Sequence, residues 1–194
     1  MTGSLPNPER SKMRLFGRTL VLVYALLLFG HVPCSGQMDE YSIKAGFLYN
    51  FTKYVEWPEA SFAESNSFVI CIAGEDPFEG RLDQVISGRT AGNGRPLTVK
   101  HLDKGTTGNF KGCQLLFVSK SERRRANEII SAVEGNSVFT VADFSPFAEM
   151  RGGADLRIEG NKVKVDLNVS AAIRANLKVS GRLQQVANLV SETK

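Results

Sequence analysis

Between Asp39 and Trp57 the apolar residues Ile43, Phe47, Phe51 and Val55 recur at every fourth position, with Tyr54 adjacent. This spacing predicts a helix with one inward face, stopped by Pro58, which biases Trp57 away from helical geometry. Phe68 to Ala73 is a short unbroken apolar run, the pattern of a strand covered on both faces. Asp76 and Pro77 then read as the N-cap and first residue of a helix carrying Phe78, Leu82, Val85 and Ile86 inward. Leu97 to Leu102 and Gln114 to Ser119 read as two further strands. Ser119 and Glu122 form a capping box that opens a helix with Ala126, Ile129, Ile130 and Val133 inward.

Ser137 to Val141 is a fourth strand, followed by a loop from Asp143 to Gly153 dense in Phe144, Phe147 and Met150, which are read as a contact surface. Ala154 to Glu159 and Lys162 to Leu167 alternate with period two around Gly160 and Asn161, a strong hairpin signal. Asn168 caps a short helix, and Ser180 begins a last one with Leu183, Val186, Ala187 and Val190 as its inward stripe. Alternating strands and helices imply right-handed crossovers. The expected fold is therefore α/β in three layers: a mostly parallel sheet, helices on both faces, and a C-terminal antiparallel hairpin.

The start of the chain has a different character. Arg14 and Arg18 precede an apolar run from Thr19 to Gly30, and Cys34-Ser-Gly36 precedes the polar stretch at Gln37. That is the layout of a cleaved signal peptide, with Met13 as an alternative start. The apolar run is shorter than the 18 or so residues of a spanning helix, so no membrane insertion of the mature chain is expected. The division is residues 1–36 as leader and 37–194 as one exported domain. Of the formal charge of +4, Arg10, Lys12, Arg14 and Arg18 lie in the leader against Glu9 alone. The remainder is nearly neutral, which removes nucleic acid as a partner. Cys34 leaves with the leader, in a context unlike a lipidation site, and Cys71 and Cys113 remain as an even pair in an oxidising compartment, read as a disulfide.

Little chemistry is available. His101 is the one histidine beyond the leader, on a predicted strand without metal-ligand spacing, and neither a nucleophile elbow nor a phosphate loop is present. Arg123, Arg124 and Arg125 read as a solvated face, and the Gly92-Asn-Gly94 turn precedes a strand instead of following one. No catalytic residue, no metal and no cofactor is expected, so the reading is of a binding protein and not an enzyme.

The segment Lys44-Ala-Gly-Phe-Leu-Tyr-Asn-Phe-Thr-Lys-Tyr-Val-Glu-Trp-Pro58, together with Gly94-Arg-Pro-Leu-Thr-Val-Lys100, Cys113-Gln-Leu-Leu-Phe-Val118, Gly152-Gly-Ala-Asp-Leu-Arg-Ile158, Val165-Asp-Leu-Asn168, Ala171-Ala172 and Leu177-Lys-Val-Ser180, resembles the YfiR family. The resemblance runs in order from about residue 40 to residue 190. It implies a periplasmic repressor that binds the periplasmic sensor region of an inner-membrane diguanylate cyclase, lowering cyclic di-GMP and biofilm formation. It also admits a homodimer. Cys71 and Cys113 match the family's paired cysteines, whereas the second pair of some relatives is missing, with Met150 and Arg151 in that neighbourhood. Asp166 matches an acidic position and is carried over as partner-facing. Reduction of the disulfide is expected to release the cyclase. The alternative reading is a small-molecule sensing module whose pocket is lined by Gly74-Glu-Asp76 and Ser119-Lys-Ser121 at the carboxyl ends of the strands.

Overall fold

A computed structural model describes residues 39–193 apart from 104, 107, 109 and 161. The leader, Cys34, and Asn161 of the hairpin turn lie outside the described residues. The described residues open with helix α1 (Glu40–Tyr54), which gives way at once to the short strand β1 (Val55–Glu56). The inward face of α1 is Lys44, Ala45, Leu48, Phe51 and Thr52; of the expected row, Phe51 and Val55 are buried, while Ile43 and Phe47 are only partly so. A strict four-residue repeat advances about 40° too far per step on a helix of 3.6 residues per turn, so such a row winds off the buried face. Trp57 ends the segment inside, its Nε1 donating to the Gln114 carbonyl at 2.9 Å and its ring edge-on to Phe68 at 4.7 Å.

The main sheet holds β2 (Phe68–Ala73), β3 (Leu97–His101), β4 (Leu115–Val118), β5 (Phe139–Ala142), β6 (Ala154–Glu159), β7 (Lys162–Leu167) and β9 (Asn188–Leu189), in the order β3-β2-β4-β5-β6-β7-β9. Strands β3 through β6 are parallel, and β6–β7 is the antiparallel hairpin, paired from Ala154↔Leu167 to Glu159↔Lys162. The strand Lys178–Val179, β8, pairs with β1 in a separate two-stranded ribbon.

Alternation along the strands sorts their side chains into two layers. Phe68, Ile70, Ile72, Leu115, Phe117, Phe139, Val141, Leu156 and Leu167 pack against α1 and α2 (Arg81–Ile86), while Cys71, Leu116, Val118 and Ala142 pack against α3 (Ala126–Val133) and the loop after β5. The expected three layers are therefore present, as are the parallel sheet and the hairpin. Two helices are shorter than their patterns predict. Asp76 Oδ1 accepts from the Phe78 amide in a local turn, and α2 begins only at Arg81, behind Gly80 in the left-handed region. The final helix α5 (Gly181–Val186) is capped by Ser180 as expected but stops at Val186, which is exposed, and the chain then joins the sheet as β9.

Candidate functional site

The predicted site residues fall around the hairpin and the α3 side of the sheet. Asn168 sits immediately after β7 and performs two tasks: its Oδ1 caps α4 (Val169–Arg174) by accepting from the Ala171 amide, and its Nδ2 donates to the Ala148 carbonyl at 2.9 Å. Asp155 on β6 grips the same loop, accepting from Ser145 Oγ at 2.9 Å and from the Ala148 amide at 3.1 Å. Residues 143–153 are thus fastened from both hairpin strands.

Fastening turns the aromatic residues of that loop inward. Phe144 and Phe147 meet edge-on at 5.6 Å inside the α3-side core, 4% and 0% exposed, and Met150 lies partly buried at its margin. The expected contact surface is corrected accordingly: these rings are interior packing, because the two hairpin clamps close the loop over them. Gly152 and Gly153 permit the closure, since a Cβ on Gly152 would overlap the Phe147 ring and one on Gly153 would meet the Thr140 carbonyl at 2.7 Å.

Asp166 stands opposite Asp155 in the hairpin register. Its Oδ2 accepts from Arg157 Nε at 2.6 Å and its Oδ1 from Asn188 Nδ2 at 2.8 Å, so both oxygens are spent inside the molecule and the residue is 8% exposed. It ties β6 and β9 to β7 instead of facing outward. Burial, and then the neighbouring Asp166 charge, push the Asp155 carboxyl up to about 6, against the opposing pull of its two hydrogen bonds. At the far end of β5, Tyr41 donates to Asp143 Oδ2 at 2.9 Å; burial and the Asp143 charge hold the phenol above its ordinary range, keeping it a donor.

Cys71 on β2 and Cys113 ahead of β4 form the disulfide, with Cα atoms 5.7 Å apart. Both sulfur-bearing residues are buried beneath α3, at 0% and 3% exposure. The loops proposed for a small ligand sit where the strand order reverses, between β2 and β4, and they close on each other there. Ser121 Oγ accepts from the Glu75 amide at 2.9 Å, and a Cβ on Gly74 would collide with Ser121. The aromatic stack of Tyr41, Phe78 and Phe117 packs in the layer beneath α1. His101, mostly exposed, pairs with Asp76 at 2.9 Å. Among the described residues no cluster of three or more His, Cys, Asp or Glu could hold a metal ion, and no helix is long and apolar enough to cross a membrane.

Four large apolar side chains among the described residues face outward elsewhere. Ile158 on β6, Ile173 on α4, Val186 on α5 and Leu189 on β9 are 46%, 67%, 77% and 53% exposed. The sequence pattern assigned Val186 to an inward stripe and passed over Ile173; an isoleucine between Ala172 and Arg174 on so short a helix was the available signal.

The YfiR/HmsC-like family model matches residues 41–188. The chain belongs to that family. A comparison with curated proteins finds no match. The matched span covers every element from α1 to the start of β9, including both cysteines, the clamped loop and the hairpin. The YfiR/HmsC-like family is one of non-catalytic, periplasmic regulators associated with diguanylate cyclases.

Proposed function

We propose that this protein is exported by cleavage of residues 1–36 and represses an inner-membrane diguanylate cyclase from the periplasm. It does so by binding the cyclase's periplasmic sensor region, which lowers cyclic di-GMP and biofilm formation. The observation that carries the reading is the family match over residues 41–188, nearly the whole exported chain. The exposed Ile158, Ile173, Val186 and Leu189 support it by supplying apolar contact area on the C-terminal third, where a soluble chain otherwise keeps polar side chains. In this reading Asp166 acts from within, holding Arg157 and β9 in place beneath that surface.

A repressor shifts the cyclase equilibrium only by the difference between its affinities for the inactive and active states, and reversing a two-state population needs about 5.5 kcal/mol of such difference. The disulfide serves as a structural bond in this scheme. Its sulfurs are buried under α3, so a reductant reaches them only when that helix lifts. Deleting the gene in a strain that expresses the cognate cyclase raises cyclic di-GMP, and mature protein recovered from membranes carries the cyclase with it. Unchanged cyclic di-GMP after deletion would sink the reading. A homodimer is compatible with the same scheme and is read by sedimentation velocity.

A further inference from the structure

Strand β3 is one edge of the main sheet: it bonds to β2 along its whole length, and among the described residues its other side is met only at its start, where Thr90 and Pro96 form an isolated antiparallel bridge. The Phe68 amide donates to the Pro96 carbonyl and the Leu102 amide to the Ile72 carbonyl. In a parallel ladder alternate residues bond to the same neighbour. Thr98 and Lys100 therefore face β2, while Leu97, Val99 and His101 turn their backbone groups outward; the antiparallel bridge between Thr90 and Pro96 covers the start of this edge beside Leu97, and at Val99 and His101 no partner meets it among the described residues. Beside this edge runs a groove of about 690 Å³ lined by Asp83, Ile86, Arg89, Pro96, Leu97 and Val99, among others. The half-buried Leu97 and Val99 side chains lean toward the α2 side, and Thr98 and Lys100 stand exposed on the other.

We propose that this edge and its groove form a docking site for an extended, acidic segment of a partner polypeptide, which joins the sheet as an additional strand beside β3. Backbone bonds to an exposed edge supply affinity and alternate side chains supply specificity. Period two sets the segment's chemistry: every second residue is apolar, against Ile86, Leu97 and Val99, and the residues between are acidic, beside Lys100. Arg89 and Lys100 are without ion-pair partners among the described residues, and one anion, Asp83, lines the groove. The balance is cationic. A second copy of the chain would bring the same two cations to the shared edge, and the leader is itself cationic, so neither fits as well as an acidic partner.

The test uses the mature protein, residues 37–194, and the probe peptide acetyl-Glu-Val-Glu-Val-Glu-Val-amide, with its lysine counterpart as control. Hydrogen exchange by NMR should show the acidic peptide slowing the amides of Val99 and His101, while those of Thr98 and Lys100, already bonded to β2, change little. Val99→Pro removes only an outward N–H, a substitution edge strands tolerate, and should abolish binding while far-UV circular dichroism stays native. The double variant Arg89→Glu, Lys100→Glu, which leaves the backbone alone, should weaken the acidic peptide about tenfold and favour the lysine peptide. Equal binding of both peptides, no slowing at these two amides at millimolar peptide, or a folded Val99→Pro protein that binds as well as wild type would each overturn the proposal. Concentration-dependent protection of the same amides without peptide would overturn it in favour of self-pairing. No cyclase is present in the assay, so its outcome is independent of the repressor reading.

Discussion

Asp155 holds its carboxylate within the hairpin, opposite Asp166, with the Ser145 hydroxyl and the Ala148 amide donating to it. An acid whose pKa rises on folding keeps its proton more tightly in the folded state. Its contribution to stability is therefore fully present below the unfolded value near 4 and is lost as pH climbs through about 6. Thermal unfolding should show a higher Tm at pH 5 than at pH 7.5. Asp155→Asn should flatten that difference, removing about 1–2 kcal/mol of pH dependence after allowance for residual solvent screening. An unchanged pH profile in the variant would show that the dependence arises elsewhere. Gly152 sets a second constraint at this scale. Gly152→Ala places a methyl group in the Phe147 ring, which is fully buried, and should cost about 1–3 kcal/mol, read as a lowered urea midpoint.

At the level of elements, legibility in sequence followed the range of the interactions that decide each one. The hairpin from Ala154 to Leu167 was readable because period-two alternation and a glycine turn are local signals, and Asn168 announced its helix in the same way. The inward face of α1 was legible only in part: Phe51 and Val55 are buried as read, but aromatic residues such as Phe47 outweighed the smaller Ala45 and Thr52, which are more deeply buried. Phe144 and Phe147 read as a surface because loops are ordinarily exposed; only the Asp155 and Asn168 clamps, formed by strands later in the chain, draw them inside. The capping stripe after Ser180 failed at Val186 because pairing of Asn188 and Leu189 with β7 competes with continuing the helix. The disulfide was legible from counting alone, but its burial was not. That burial predicts slow chemistry: native protein should resist thiol labelling after mild reductant and should label fully once urea is added. The Cys71→Ser, Cys113→Ser double variant should lose about 4 kcal/mol for a closed loop of 42 residues, and loss of the bond with no fall in urea midpoint would contradict the structural role assigned to it.

For the whole molecule, family membership and architecture point the same way, to a scaffold whose interior is committed to packing and whose work is done at surfaces. The buried carboxylates are spoken for by internal donors: Asp155, Asp166 and one oxygen of Asp143 each hold separate elements together. Two exposed features lie at opposite ends of the strand order, Leu189 on β9 and the backbone edge of β3. The bond between Cys71 and Cys113 also encloses all of α2 and β3 in one covalent ring. A protease that cuts the loop between β3 and β4 therefore leaves a protein of undivided mass, running as a single band without reductant and as two with it. The exposed edge strand remains tethered to the sheet even in a nicked molecule, so proteolytic wear does not strip it away.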